Sequence, residues 1–251
     1  MTRLLTSLIM LAAIAVNAVA IDFDDESLNY RVTYKWGLIQ KNAGRANLTL
    51  KRNGNDYQAV LTARSDPWAD HIYSVRDTLR SHMTGSAMRP VLYDKSTHEA
   101  GKYSHDVIRY SYEGTDVKAE CTRYRLDKKG NQTSTAIDLE AKVPAVDMLS
   151  IYYYVRRLDY SSMKKDQHTY ATIFSGKRKE KLTVIYEGTE TVKVDGTSYF
   201  CHRITFTFTA EGRPSSDPMT AWISADNDRI PVRVTGQLPV GKIHVLFTGR
   251  N

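Results

Sequence analysis

The sequence contains few of the residues and motifs on which cofactor and metal sites depend. Its 251 residues include 2 cysteines and no C-x-x-C pair, so dithiol-redox and structural-zinc proteins have no support. It has no glycine-rich phosphate loop, no H-E-x-x-H metal motif and no G-x-S-x-G nucleophile turn. The composition, 41% hydrophobic and 25% charged, excludes disordered, collagenous and coiled-coil chains. The sequence therefore predicts a globular protein with no cofactor and no metal site, and it favours a non-enzymatic role.

Residues 1–20 have the pattern of a secretory signal peptide. Arg3 precedes an apolar stretch from Leu4 to Val16, and Ala18-Val19-Ala20 matches the small-x-small cleavage signal. The apolar stretch is shorter than the roughly 20 residues that a membrane-spanning helix needs. We therefore expect an exported protein of the periplasm or cell envelope that is soluble after cleavage and is not an integral membrane protein.

The chain is basic, with a formal net charge of +7 and a sequence pI of about 9.2. Outside the cytosol this charge favours anionic lipid headgroups, acidic glycans or cell-wall polymers as partners, and we expect no nucleic acid. The densest basic cluster, Lys177-Arg178-Lys179, follows Ser175-Gly176 at a predicted hairpin tip. It is either a solvated turn, which we favour, or an anion-binding site.

Alternating apolar and polar residues predict a mainly β fold. Leu28, Tyr30, Val32, Tyr34 and Trp36 alternate with polar residues, as in a half-buried strand, and the pattern recurs along the chain between turn sequences such as Asn53-Gly54. We expect one β-rich domain over residues 21–251, folded as a large curved antiparallel sheet of about a dozen strands that forms an open or half-closed barrel. A polar, turn-rich stretch suggests a seam near residues 128–146.

Two short helices interrupt this pattern. Asp66-Pro67 predicts an N-cap and first-turn proline ahead of Trp68. The second helix begins at Asp147 in this prediction and continues to Leu158, with apolar residues at helical spacing. Because Tyr152, Tyr153 and Tyr154 are consecutive, they cannot all face the core of a helix.

Candidate ligand-binding residues are aromatic or partly apolar. Trp68, Tyr152, Tyr153 and Trp222 are either an aromatic platform for a sugar or acyl chain or, as we favour, residues whose pattern is explained by packing of the helix against the sheet. His202 shares a strand face with phenylalanines and is either a hydrogen-bonded core histidine or a polar group of a pocket. Cys121 and Cys201 are either a disulfide, which an oxidising compartment allows, or two separate thiols.

Histidines and carboxylates near a predicted hairpin at Ala100-Gly101 do not form a recognisable site. A two-residue turn places His98 opposite Tyr103 and His105 opposite Ser96, so the histidines are diagonal to each other. Paired carboxylates would be needed for an enzyme that acts on glycans or wall polymers. The candidates are Asp70, Asp77, Glu99 and Asp147, whose relative positions the sequence does not give.

Short segments throughout the chain resemble an exported bacterial family, domain of unknown function 3108. The segments are Tyr34–Ile39 with Ala43-Gly44, Asp77–Leu79, Pro90, His98-Glu99, Asp147–Leu149, Tyr152-Tyr153, Arg156, Phe174–Lys177, Trp222–Ser224 and Arg229–Val232. The resemblance implies an exported, mainly β protein and supplies no catalytic or binding residues. In architecture alone, the expected sheet is similar to the half-barrels of periplasmic lipoprotein carriers.

Three functions are consistent with these features. The first is a non-enzymatic envelope protein that binds a lipid, lipoprotein or other amphiphile in an apolar groove, with Lys and Arg side chains receiving anionic headgroups. The second is a scaffold that docks another envelope protein through its strand edges or tyrosine-rich helix. The third is a glycan- or wall-active enzyme. The sequence does not determine the ligand or the oligomeric state.

Overall fold

The computed structural model describes residues 21–251, and the signal-peptide prediction for residues 1–20 falls outside them. Sixteen strands and two helices make up this part of the chain. Their bounds are β1 Glu26–Trp36, β2 Ile39–Asn53, β3 Asp56–Ser65, α1 Pro67–Tyr73, β4 Val75–Thr84, β5 Arg89–Glu99, β6 Lys102–Glu113, β7 Asp116–Leu126, β8 Gln132–Lys142, β9 Ala145–Asp147, α2 Ser150–Arg156, β10 His168–Phe174, β11 Lys179–Val194, β12 Thr197–Ala210, β13 Arg213–Pro214, β14 Met219–Ser224, β15 Pro231–Gln237 and β16 Lys242–Arg250.

One continuous sheet contains all of these strands. The order of its main path is β8-β7-β6-β5-β4-β3-β2-β1-β16-β15-β14-β12-β11-β10-β9, and β13 pairs with β12 beside it. The mainly β fold and the curled sheet are confirmed, with two corrections. The strand count is 16 rather than about a dozen, because short strands such as β9 and β13 carry too few residues to show alternation. The sheet is also mixed, since β9 and β10 are parallel.

The two ends of the sheet approach each other, so that it nearly closes into a barrel. At this approach the Lys179 Nζ on β11 donates a hydrogen bond of 2.7 Å to the Glu140 carbonyl on β8. The edge strands β8 and β9 occupy most of residues 128–146, where the sequence suggested a seam. The polar stretch there is a short turn, closed by the hydrogen bond from the Asp127 amide to the Asn131 carbonyl, followed by β8.

The hairpin at Ala100-Gly101 has the predicted register. His98 pairs with Tyr103, and His105 pairs with Ser96. Gly101 has a φ of 78°, a left-handed conformation that glycine adopts without a steric penalty. The turn chemistry of the sequence therefore determines which side chains face each other across β5 and β6.

The side chains of the protein itself cover the concave side of the sheet. One hydrophobic cluster joins residues of β1–β7 to residues of β9–β12 and β15 on the other side of the nearly closed sheet. Within it Tyr93, Tyr153 and Phe174 are at most 1% exposed. A second cluster lies between β10–β14 and the segment from Val155 to Met163. Helix α2 contributes to both clusters, with Tyr153 in the first and Val155 in the second. The apolar face is therefore covered at these positions by a helix and aromatic rings.

The first helix follows its prediction, and the second begins later than predicted. Asp66 precedes α1 and Pro67 occupies its first turn, although the Asp66 side chain makes no capping hydrogen bond. Asp147 belongs to β9, and its carboxylate accepts hydrogen bonds of 2.7 Å from the amides of Leu149 and Ser150. This carboxylate caps the turn before α2, which explains why the helical pattern seemed to begin at Asp147.

The two cysteines are buried free thiols, so the disulfide that the sequence allowed is not formed. Cys121 lies on β7 and Cys201 on β12, two strands that are far apart in the order of the sheet. Burial raises the pKa of Cys121 to about 11 and that of Cys201 to about 12. Both thiols therefore behave as small apolar core residues.

Candidate functional site

An open cleft lies beside α2, where three segments of the chain meet. It has a volume of about 480 Å³. Its walls come from three places: the β4–β5 turn, the β8–β9 connection together with β9, and α2 together with Arg157 and Leu158, the two residues that follow the helix. The lining residues are Ala87, Met88, Arg89, Val143, Pro144, Ala145, Val146, Ser150, Tyr154, Arg157 and Leu158. Most of this surface is aliphatic, which is typical of small-molecule sites.

Arg157 is the polar residue that sets this cleft apart. The residue is 6% exposed, and its Nη1 donates a 2.5 Å hydrogen bond to the carbonyl of Ala87. Both residues line the cleft. The Arg157 Nε has no hydrogen-bond partner, and no carboxylate within residues 21–251 forms an ion pair with this side chain. Burial lowers the pKa of Arg157, as expected for a cation removed from water.

The neighbouring Arg156 is also buried, but a carboxylate neutralises its charge. It is 1% exposed, and its Nη1 lies 2.6 Å from the Glu26 Oε1 in an ion pair. The guanidinium also donates to the carbonyls of Asp228 and Arg229. Arg156 therefore ties α2 to β1 and the β14–β15 turn, whereas Arg157 has one carbonyl partner and an unused donor.

A second cation lies at the mouth of the cleft. Arg89 is exposed, and its guanidinium carbon lies 5.5 Å from the centre of the Tyr112 ring. This contact holds the side chain against the protein. Ser150, at the wall of the cleft, uses its hydroxyl to accept a 2.8 Å hydrogen bond from the Asp147 amide. The cleft therefore combines an apolar wall with one buried and one exposed positive charge.

The predicted ligand-binding residues lie in different parts of the molecule. Trp68, on α1, lies near the start of β2, where its indole N–H donates a 2.5 Å hydrogen bond to the Asn42 carbonyl. Tyr153 is fully buried, and the Tyr152 hydroxyl is 2.7 Å from that of Tyr30. Trp222 donates a hydrogen bond to Glu190 on β11. Trp68, Tyr152 and Trp222 therefore have different neighbours, and the aromatic platform remains a prediction.

His202 lies in a polar niche of the second cluster. Its ring stacks on Tyr160 with 4.5 Å between centroids, and its Nδ1 lies 3.2 Å from the Tyr186 hydroxyl. Burial, and then the nearby Arg229, lower the pKa of His202. These contacts agree with a neutral, hydrogen-bonded histidine packed between aromatic rings.

The basic cluster at 177–179 lies at the predicted hairpin tip, between β10 and β11. The Ser175 amide donates to the Arg178 carbonyl at 3.1 Å, which closes the turn. Arg178 forms an ion pair with Glu180, and Lys179 reaches Glu140. Lys177 is exposed. The anion-binding interpretation of this cluster stays a prediction.

Of the four candidate carboxylates, Asp77 and Glu99 lie together. They occupy one face of the paired strands β4 and β5, in diagonal positions. Burial, reinforced by the negative charge of Glu99, raises the pKa of Asp77 to about 7. Asp70 instead forms an ion pair of 2.7 Å with Arg76. Asp147 is buried and accepts a 2.6 Å hydrogen bond from Ser81.

The sequence did not single out Arg157 within this site. The residue follows Arg156 in the sequence, and nothing local distinguishes the arginine that finds a carboxylate from the one that does not. The sequence shows that Val143–Val146 is apolar, but it does not show that this segment lies opposite the β4–β5 turn, because that position depends on closure of the sheet. Both features arise from contacts between residues distant in the chain.

The fold defines a β-barrel-like protein built from one nearly closed sheet around a short helix. The chain matches the family described as "Protein of unknown function (DUF3108)" over residues 29–248, and it belongs to that family. No curated protein matches the chain. None of the helices within residues 21–251 combines the length and the apolar character needed to cross a membrane.

Two solved structures resemble this chain to different degrees. One is a crystal structure of a β-barrel-like protein of domain of unknown function DUF1849 from Brucella abortus, with a TM-score of 0.62 and 10% sequence identity, covering 92% of this chain and 98% of that one. The other is a protein with a YmcC-like fold from Bacteroides fragilis, with a TM-score of 0.39 and 8% identity, covering 93% and 99% of the two chains. The first likeness extends to the architecture alone.

Proposed function

We propose that this protein is an exported, non-enzymatic binding protein of the cell envelope that holds an anionic amphiphile in the cleft beside α2. The observation that supports the proposal is the buried guanidinium of Arg157, which lines an apolar cleft without a carboxylate partner in residues 21–251. A buried charge without a counterion is costly, so a ligand that supplies one gains affinity at this position.

The chemistry of the walls favours a fatty-acid carboxylate. The carboxylate accepts hydrogen bonds from Arg157, and the partly exposed Val143 and Pro144 provide surface for methylene groups. A volume of about 480 Å³ lies within the range of small-molecule sites. Export of the protein is the expectation from residues 1–20.

Binding of carboxyl-labelled dodecanoate to the purified mature protein tests this proposal. We expect a bound carboxyl resonance in carbon-13 NMR that titrates to saturation with wild type, and a loss of about tenfold or more in affinity for Arg157→Met. Arg157→Lys, which keeps the charge, should recover part of the affinity. Absence of a saturable signal with wild type overturns the proposal.

A second pair of variants distinguishes loss of binding from loss of folding. Ala87 is an exposed residue at the mouth of the cleft, so Ala87→Trp should block entry without removing Arg157. Ser86 is exposed in the same turn and is not part of the cleft wall, which makes Ser86→Trp the matched control. Equal binding by both tryptophan variants would place the ligand elsewhere.

A scaffold role is the second candidate, and the edge strand β8 supports it. β8 ends one side of the sheet and pairs with β7 alone, and all of its 11 residues are exposed or half-buried. The part of this edge that precedes Glu140, whose carbonyl accepts from Lys179, can accept an added strand from a partner. A photo-crosslinking residue at Ala136 should then capture one recurrent envelope protein in cells, while the same residue at Lys118 on the internal strand β7 should not.

A further inference from the structure

A row of four arginines and one histidine crosses the outer face of the sheet. The register places Arg31 opposite Arg45, Arg45 opposite Arg64 and Arg64 opposite Arg76, and Arg76 opposite His98. These five residues, on the consecutive strands β1 to β5, are called the arginine ladder below. Neighbouring strands are about 4.8 Å apart, so the ladder extends for about 19 Å.

The ladder is unfavourable for the isolated protein. Directly opposed residues have Cβ atoms about 5 Å apart, and like charges in such positions are destabilising. Two members have counterions within the chain: Arg31 pairs with Asp195 at 2.5 Å, and Arg76 pairs with Asp70 at 2.7 Å. Arg45 and Arg64, in the middle of the row, are exposed and form no ion pair within residues 21–251.

The ladder lies in a depression rather than on a convex surface. A concavity of about 820 Å³ is lined by all five members of the ladder. A second concavity of about 550 Å³ shares Arg76 and His98 with the first and adds Lys102. The two form one basic groove along the outer face, on the side of the sheet opposite to the buried Leu48 and Ala59.

A row of neutral polar side chains runs parallel to the ladder. It consists of Asn29, Asn47, Thr62, Thr78 and Ser96, each two residues from a ladder residue on the same strand and face. Asn29 donates to Asn251 and Asn47 donates to Asn29. The hydroxyls of Thr62 and Thr78, about 7 Å along the strands from the cations, are therefore the groups of this row that suit the hydroxyls of sugars. Tyr30, the one Phe, Tyr or Trp residue that lines the larger concavity, has its hydroxyl 2.7 Å from that of Tyr152 on α2.

We propose that the arginine ladder binds an acidic polysaccharide, whose carboxylates pair with Arg45 and Arg64 and whose hydroxyls bond the parallel polar row. Uronate polymers have this combination of charge and hydroxyl groups. Single-stranded nucleic acid fits the larger concavity, where Arg45 and Arg64 lie, less well, because its binding sites also stack bases on aromatic side chains and Tyr103 lines the second concavity instead. The proposal concerns the outer face and is independent of the cleft beside α2.

Binding of polygalacturonate oligomers to the mature protein, followed by calorimetry, tests the proposal. Wild type should bind them with an affinity that falls as salt is added, and Arg45→Gln/Arg64→Gln should lose about tenfold or more. The control Lys164→Gln/Lys165→Gln removes two exposed positive charges outside the groove and should retain the wild-type affinity within about twofold.

Other outcomes overturn the proposal. Equal losses for the ladder variant and the control would mean that the polymer responds to net charge alone. Stronger binding of single-stranded DNA than of the uronate oligomer at the same salt concentration would assign the groove to a different polyanion. Urea unfolding of each variant is measured in parallel, so that a loss of folding is not taken for a loss of binding.

Discussion

Arg45 and Arg64 lie directly opposite each other in the pairing of β2 with β3, with Arg31 on the other side of Arg45. Removing one charge should therefore relieve repulsion. We expect Arg45→Gln to raise the free energy of unfolding by about 0.5 kcal/mol at low ionic strength, with the gain disappearing at high salt. Urea unfolding at both salt concentrations measures it.

The control for this prediction is an arginine with an opposite charge across from it. Arg109 is exposed on β6 and pairs with Glu120 on β7. Arg109→Gln should leave stability unchanged or lower it slightly. A clear loss of stability on Arg45→Gln at low salt would show that the ladder is a structural feature of the sheet.

The buried pair of Arg156 with Glu26 should be far more sensitive to truncation. The two residues are 1% and 8% exposed at the side chain, so Glu26→Gln leaves a guanidinium inside the protein without its counterion. We expect a loss of about 3–5 kcal/mol in the free energy of unfolding at neutral pH. The exposed pair of Lys142 with Asp116 has the same 2.6 Å separation, and Asp116→Asn should cost less than about 1 kcal/mol. Similar losses of unfolding free energy for Glu26→Gln and Asp116→Asn would contradict the burial of the pair of Arg156 with Glu26.

Asp77 should make the stability of the protein depend on pH. Its pKa is raised from 3.8 to about 7, so the folded protein holds a proton that the unfolded chain releases. Stability should therefore fall as pH rises from about 4 through about 7, and Asp77→Asn should flatten this part of the profile. Thermal unfolding of both proteins at pH 5 and pH 8 measures the effect, with Asp116→Asn as the control. If stability instead rose between pH 5 and pH 8 and Asp77→Asn abolished that rise, folding would lower the pKa of Asp77 and the prediction would be wrong.

The two cysteines should be unreactive until the protein unfolds. Burial raises the pKa of both thiols, so few thiolates exist at pH 8 and reagents cannot reach them. We expect slow alkylation by iodoacetamide in the native protein and two rapid modifications in urea without reductant. A protein that takes up no label in urea until it is reduced would contain the disulfide between Cys121 and Cys201.

Local sequence signals predicted the parts of the fold that depend on local geometry. Alternation identified β1, the turn at Ala100-Gly101 fixed the pairing of His98 with Tyr103, and Pro67 marked the start of α1. The start of α2 was misplaced because Asp147 satisfies the amides of the helical turn from a position in β9. Its side chain has the role of a cap, although its backbone is extended.

The two candidate sites depend on relationships that no local pattern contains. The arginine ladder results from the register of four strand pairs, β1 with β2 through β4 with β5, and from the irregular pairing between Val32 and Thr33. Shifting one strand by one residue would move its arginine to the inner face. The unpaired state of Arg157 is likewise a property of its surroundings, because the adjacent Arg156 finds Glu26 on a strand 130 residues away.

The most direct test of the central claim is the carbon-13 resonance of carboxyl-labelled dodecanoate titrated into the delipidated mature protein. A counterion for Arg157 within the cleft predicts a saturable bound resonance that Ala87→Trp abolishes and Ser86→Trp preserves. A resonance that stays at the free-ligand position throughout the titration of the folded wild-type protein would contradict the account.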